Sequence, residues 1–225
     1  MKRMIALLLA VLLLAGVGTV QAEDYFSEWA IRIGDVILAP EELEEAMNRS
    51  LMLSALSAAE RGFEYQITDH LNLIDTLDKV MFDLESAAVL RQQAIRLNVW
   101  PTEEAYQTAD EQGHAQWEAY LEIARSENGM AFLPAGNYET AEDDPEQTLL
   151  NYLASFGLTE DAVCSQYRDR LLDQYLKEAV TVLMTDATED ELIDYYTDWF
   201  IARFDETEIV ENGLAVAEVV LRLVP

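Results

Sequence analysis

Two helix signals separated by a short break, between Gly157 and Phe204, constrain the fold most. Thr159 is a residue type that caps helix N-termini, and the acidic Glu160 and Asp161 that follow it suit the positive end of a helix dipole. Apolar side chains then recur every three or four residues, which keeps them on one face of a helix. They are Val163, Tyr167, Leu171, Leu172, Tyr175, Leu176, Ala179, Val180 and Leu183. We predict a long amphipathic helix with that face buried.

A second helix is predicted after a break at Thr185, Asp186 and Ala187. Thr188 and Glu191 have the spacing of a capping box, in which each side chain accepts a hydrogen bond from the other residue's backbone amide. The aromatic residues of this helix are Tyr195, Tyr196, Trp199 and Phe200. The segment therefore predicts a pair of helices against which the rest of the chain packs.

The sequence of this helix pair resembles a known family. GLTEDAVCSQYRDRLLDQYLKEAV followed by TEDELIDYYTDW is similar to the helical N-terminal chaperone region of the SurA and PrsA extracytoplasmic foldases. In that family a Gly-Leu-Thr helix leads into a Thr-x-x-Glu-Leu-x-x-Tyr-Tyr helix. The segment IRIGDVILAPEELEEAM resembles the family's opening, where a short strand and a turn run into a helix with an acidic start. The resemblance implies an extracytoplasmic chaperone module.

A third segment, LRQQAIRLNVWPTEEAY, departs from the family in one position. The family's helix reads Leu-x-x-x-Ala-x-x-x-Gly followed by Ile or Val, and this chain keeps Leu90, Ala94 and Val99 but has Asn98 where Gly is usual. Asn tolerates the left-handed conformation that such a helix end requires. We expect Asn98 to end the helix as Gly would.

The N-terminus has the pattern of a signal peptide. Lys2 and Arg3 precede an apolar run of about fourteen residues, and Val20-Gln21-Ala22 offers small residues at a cleavage site. A membrane-spanning helix needs about 20 apolar residues, so a retained anchor is the weaker alternative. We expect cleavage after Ala22, secretion or an extracytoplasmic location, and no stable membrane span afterwards. Residues 23–225 are then expected to form one helical domain.

The charge of the chain is strongly acidic, with 14 Lys and Arg residues against 43 Asp and Glu residues and a formal net charge of -29. Loss of Lys2 and Arg3 with the signal leaves 12 against 43, a charge of -31. Binding of nucleic acid requires basic patches that neutralise phosphates, so nucleic acid is excluded as a partner. Two readings of the acidity stay open: a solvated surface that keeps the protein soluble, and long-range attraction of basic, unfolded polypeptides.

The remaining helices follow from periodicity and breakers. A strand or hairpin is predicted over 25–38 with a turn at Gly34-Asp35, then helices from Pro40 to about Gly62, from about Thr68 over roughly thirty residues, and from Thr102 to about 124. The third of these helices carries Ala105, Ala109, Gly113, Trp117, Leu121 and Ala124 on one side. An acidic surface loop is predicted over about 128–144, and a short helix over 145–156.

The C-terminal segment, about 207–224, changes from helical to alternating periodicity. Asn212-Gly213 is a strong hairpin signal, and a last strand is predicted to place Ala215, Ala217, Val219, Leu221 and Leu223 on one face. Isolated hairpins are marginal in water, so the N- and C-terminal segments are expected to pair with each other. The predicted fold is mainly α: a multi-helix domain like the SurA N-terminal domain, with a small antiparallel β-sheet formed by the two chain ends.

Motifs for catalysis, cofactors and metals are missing from the sequence. Cys164 and the Glu111-x-x-His114 spacing are isolated, and we interpret them, with His70, as structural or surface residues. In the resembled foldases a parvulin-type prolyl isomerase domain usually follows the Tyr-Tyr helix, whereas fewer than twenty-five residues follow it here. We therefore expect no catalytic residue and no isomerase activity, with no cofactor and no metal.

Five aromatic residues are the predicted client-binding set. Tyr195, Tyr196, Trp199, Phe200 and Phe204 form a denser cluster than core packing requires, although each could also simply fill the core. The prediction is a chaperone that holds unfolded or newly exported polypeptides weakly and reversibly. Two alternatives stay open: a fragment or partner of a peptidyl-prolyl isomerase, and an envelope adaptor with one fixed protein partner.

Overall fold

The computed structural model describes residues 28–66, 70–134, 136–141 and 144–223. These residues are mainly helical and form a small three-stranded antiparallel sheet, so the predicted fold class is confirmed. The elements in chain order are β1 (Ile31–Ile33), β2 (Val36–Leu38), α1 (Pro40–Glu60), α2 (His70–Leu97), α3 (Glu103–Arg125), α4 (Glu127–Phe132), α5 (Pro145–Ala154), α6 (Glu160–Thr181), α7 (Glu189–Glu206), β3 (Ile209–Glu211) and α8 (Gly213–Leu223). The predicted signal peptide, its cleavage site and the start of the predicted first strand lie outside the described residues, as does the predicted helix start at Thr68.

The sheet joins the two ends of the described chain. Its strand order is β2-β1-β3, and Arg32 in the central strand pairs with Ile37 on one side and Val210 on the other. Gly34 makes the β1–β2 turn with a φ of +57°, a left-handed conformation that glycine adopts at no steric cost. The predicted turn at Gly34-Asp35 and the predicted pairing of the chain ends are both confirmed.

Side-chain caps begin most of the long helices at the predicted places. The Thr159 hydroxyl accepts a hydrogen bond from the Ala162 amide, and Thr102 does the same at the start of α3. Thr188 and Glu191 form the predicted capping box at α7. Asn98 ends α2 with a φ of 51°, as expected for a residue in the position of a glycine cap.

Three apolar clusters hold the helices together. The first joins the sheet, α1, α2 and α8; the second joins α1, α3, α5 and the start of α6; the third joins α2, α6 and α7. Helices α3 and α6 also pack closely at Gly113, where an added Cβ would lie 2.7 Å from the Cα of Cys164. The predicted buried positions Ala109, Trp117 and Leu121 of α3 are confirmed. Helix α1 belongs to two of the clusters and thus links the sheet to the other helices.

The predicted last strand of the C-terminal hairpin is wrong, because residues 213–223 form helix α8. The segment is apolar on nearly every position, so it alternates as a strand does while also satisfying helical spacing. Asn212 decides the conformation locally: its side-chain oxygen accepts a hydrogen bond from the Ala215 amide, as an N-cap does. Burial of both Val216 and Val219 fits a helix, since these residues would face opposite sides of a strand.

Two smaller predictions are also wrong. The predicted loop begins with helix α4, because Ser126 caps it by accepting a hydrogen bond from the Gly129 amide. Leu183 is 89% exposed and lies beyond the end of α6, so the predicted buried face stops earlier than its periodicity indicated. The predicted pair of helices flanking a break is otherwise confirmed. The short helix predicted over 145–156 is also confirmed, and it spans Pro145–Ala154.

Candidate functional site

The five predicted client-binding residues lie on α7, and most of their surface faces the protein. Tyr196 is buried, Trp199, Phe200 and Phe204 are half-buried, and only Tyr195 is clearly exposed. The inward-facing rings contact one another in sequence, with Tyr196 stacked on Trp199 at a centroid distance of 5.6 Å. Four of the five therefore help to attach α7 to the body, which leaves Tyr195 as the residue of this set that a client could reach.

A hydrogen bond fixes the centre of this aromatic row. The Tyr196 hydroxyl donates to the Asp173 carboxylate on α6. Burial and this bond to a carboxylate raise the pKa of Tyr196 above its ordinary value. The hydroxyl therefore stays protonated at neutral pH, and its hydrogen bond helps to hold α7 against α6.

An open groove lies along α1 between the long helices, and we call it the α1 groove. It consists of two adjoining cavities of about 610 Å³ and about 430 Å³ that share Ser50, Leu53 and Lys79. Helix α1 forms one side of both cavities, and α2, α3 and α6 contribute the rest of the larger one. Its apolar surface comes from Ala46, Leu53, Ala58, Phe63, Tyr65, Val80, Leu84, Ala87, Leu90 and Tyr120.

The polar lining of the α1 groove is unusually basic for this chain. Four of the twelve basic residues that follow residue 22 line it, against three acidic residues among 43 in the sequence. The basic residues are Arg49, Arg61, Lys79 and Arg170, and the acidic residues are Asp83, Asp169 and Asp173. An open channel with mixed apolar and basic walls can accept an extended polypeptide and offers it no reactive group.

Sequence reasoning missed the α1 groove, although a signal was present. Ser50, Ser54, Ser57 and Arg61 recur at steps of three and four residues, which marks a polar stripe on one face of α1. The stripe alone predicts a solvated surface. Only the positions of α2 and α6 turn that surface into one side of a groove.

A cysteine and a histidine distant in sequence meet between α3 and α6. The Sγ of Cys164 lies 3.9 Å from Nδ1 of His114, and the same nitrogen lies 2.6 Å from Oε1 of Glu160. A nucleophilic pair needs one ring nitrogen facing the thiol while the other is held by its carboxylate partner. Burial and the nearby Asp110 carboxylate raise the pKa of the Cys164 thiol, so the sulfur stays protonated. This arrangement is suited to packing rather than to nucleophilic attack.

A separate cavity of about 800 Å³ lies under the segment that follows α4. Met130, Tyr138 and Tyr152 line it, and the Tyr152 hydroxyl donates a hydrogen bond to the Pro134 carbonyl. Arg125 and Glu146 form an ion pair at its edge. The cavity is mostly apolar, and its polar edge residues are already paired with each other.

Metal sites and membrane-spanning helices are absent from the part of the chain that the structure describes. Within that part, no three His, Cys, Asp or Glu side chains are placed to hold a metal ion. No helix of the described segments is both long and apolar enough to cross a membrane. No protein-family model, curated protein or solved structure matches the chain.

Proposed function

We propose that the protein is a non-catalytic extracytoplasmic chaperone that holds extended segments of unfolded or newly exported polypeptides in the α1 groove. The observation that carries the proposal is the groove itself, open to solvent and lined by both apolar and polar side chains on several helices. Weak burial of apolar segments in such a channel is reversible, as release of a client requires. The resemblance to the SurA and PrsA chaperone region supports the same function.

Filling the groove tests the proposal. Ser54→Tyr places an aromatic ring in the smaller cavity, where Ser54 is half-buried. We expect at least a tenfold rise in Kd for a fluorescein-labelled, twelve-residue apolar peptide, measured by fluorescence anisotropy. Suppression of the aggregation of a chemically unfolded client, measured by light scattering, is expected to fall in parallel.

Thr108→Tyr is the matched control. Thr108 donates a hydrogen bond to the carbonyl four residues earlier in α3, as Ser54 does in α1, yet it is exposed and outside the groove. This variant is expected to bind and to protect the client like the unmodified protein. Equal losses in the two variants would contradict binding in the groove.

A proline-limited refolding assay separates the proposed function from its alternatives. The proposal requires that the refolding rate of the substrate stays unchanged when the protein is added. Acceleration would contradict the non-catalytic function and favour a prolyl isomerase. Failure to bind peptides or to suppress aggregation would contradict the proposal and favour an adaptor with one fixed partner.

A further inference from the structure

The net charge of the side chains that line the α1 groove is opposite in sign to the net charge of the whole protein. The chain has a formal net charge of -29, whereas the groove has four basic and three acidic side chains. Which of these charges is available to a ligand depends on the partners that each side chain already has.

The acidic side chains of the groove are engaged by neighbours. Asp169 accepts a hydrogen bond of 3.0 Å from the Arg91 guanidinium. Asp173 accepts a hydrogen bond from the Tyr196 hydroxyl, and Oδ2 of Asp83 lies 3.8 Å from Nζ of Lys79. The negative charges of Asp169 and Asp83 are therefore partly balanced by basic partners before a ligand arrives, whereas Asp173 keeps its negative charge.

Two of the basic side chains have no acidic partner within the described ranges. The Arg61 guanidinium donates a hydrogen bond of 2.6 Å to the Ser57 hydroxyl, at the end of the groove that contains Phe63 and Tyr65. The Arg170 guanidinium lies over the ring of Tyr167, 5.1 Å from its centroid. Neither contact neutralises the positive charge. A third arginine, Arg49, does have an acidic partner, because its guanidinium lies 3.7 Å from the Glu45 carboxylate in a partly exposed pair.

We propose that the α1 groove selects extended polypeptide segments in which Asp or Glu side chains flank apolar residues. The inference rests on the proposed function and specifies its client class. The carboxylates of such a segment would pair with Arg61 and Arg170, and its apolar residues would contact Leu53 and Phe63. Arginine is suited to this role because its planar guanidinium donates two parallel hydrogen bonds to a carboxylate.

The distant acidic surface does not cancel this preference at physiological salt. The Debye length is about 8 Å at 0.15 M ionic strength, so charges on the far side of the protein are screened while contacts inside the groove are not. The binding preference is then set by the nearest charged groups, among which Arg61 and Arg170 outnumber Asp173, the one acidic side chain of the lining that has no basic partner within the described residues.

Three labelled peptides test the inference. They share one twelve-residue apolar sequence and differ only in four positions that are all Glu, all Gln or all Lys. At 0.15 M NaCl we expect the Glu peptide to bind with a Kd about three- to tenfold lower than that of the Gln peptide, because each partly exposed ion pair contributes at most a few-fold. The Lys peptide is expected to bind more weakly than both.

Charge-removing variants assign the preference to the groove. Arg61→Gln combined with Arg170→Gln is expected to remove the advantage of the Glu peptide and to leave the Kd of the Gln peptide within about twofold. Arg96→Gln with Arg32→Gln is the matched control, since it removes two exposed arginines that do not line the groove. An equal effect of both double variants would overturn the assignment to the groove.

The outcomes separate this inference from the proposed function. If the Gln or Lys peptide binds as tightly as the Glu peptide and Ser54→Tyr still weakens binding, the acidic preference is overturned while the proposed function stands. If none of the three peptides binds to the unmodified protein, both are overturned.

Discussion

At the scale of single residues, Gly113 determines how closely α3 and α6 approach. A Cβ at this position would lie 2.7 Å from both the Cα and the Sγ of Cys164. Gly113→Ala gains about 0.5–1 kcal/mol of helix propensity, but the clash is expected to cost about 1–3 kcal/mol, so the variant should be less stable overall. Urea unfolding at pH 7 measures this difference. Gly213→Ala is the control, because no atom lies within 4 Å of its added Cβ, and it should be neutral or slightly stabilising.

The same helix pair carries an acid-sensitive ion pair. The Nε of Arg168 donates a hydrogen bond of 2.6 Å to Oδ1 of Asp110, and this bond holds the pKa of Asp110 below its ordinary value. Because the folded pKa is lowered, the stabilisation is present above the unfolded pKa of about 4 and is lost as the pH falls through the folded value. Asp110→Asn is expected to cost about 0.5–1 kcal/mol at pH 6 and progressively less below pH 4.

Urea unfolding of Asp110→Asn and of the unmodified protein at pH 6 and pH 3 checks this expectation. Asp78→Asn is the control, since Asp78 is exposed and has no ion pair within the described residues. It should change stability little at either pH. A deficit of Asp110→Asn that is equally large at both pH values would show that the ion pair is not its source.

At the scale of elements, Asn212 joins the sheet to α8. Its backbone amide donates to the Ala30 carbonyl at 2.8 Å, and its side chain contacts both the Trp29 carbonyl and the Ala215 amide. Asn212→Ala keeps the backbone bond but loses the cap, with an expected loss of about 1–2 kcal/mol in unfolding free energy. Thermal or urea unfolding followed by circular dichroism measures it. Asn137→Ala, in an exposed segment, should have no comparable effect.

Most elements could be predicted because their signals are local. Thr159 and Thr188 cap helices through residues three positions away, and Gly34 permits a turn whatever surrounds it. Helix α8 could not be predicted, because an almost wholly apolar segment satisfies both periodicities and the choice depends on packing against α1 and the sheet. The sequence of residues 213–223 predicts that the segment is buried, but it does not decide between a helix and a strand.

At the scale of the whole molecule, the candidate site could not be predicted from the sequence. The predicted aromatic set is local to α7 and is recognisable in the sequence, yet four of its members face inward. The α1 groove is formed by helices far apart in the chain, and the charge of its lining differs from the average charge that composition reports. The net charge that composition gives determines the electrostatic potential far from the protein. A bound segment instead interacts mainly with the few charged side chains that lie within a Debye length.

The pairing of β1 with β3 has a consequence for folding. Ile31 pairs with Glu211, so a strand at the start of the described chain is completed by one near its end. Contacts between residues so distant in sequence slow folding, because closing the long intervening loop costs conformational entropy before the contacts stabilise the chain. Until Ile209–Glu211 arrives, one edge of β1 has unpaired amides and carbonyls, and that edge can pair with another chain. A chain made from its N-terminus therefore keeps this edge of β1 open to other chains until residues 209–211 have been made and have paired with it.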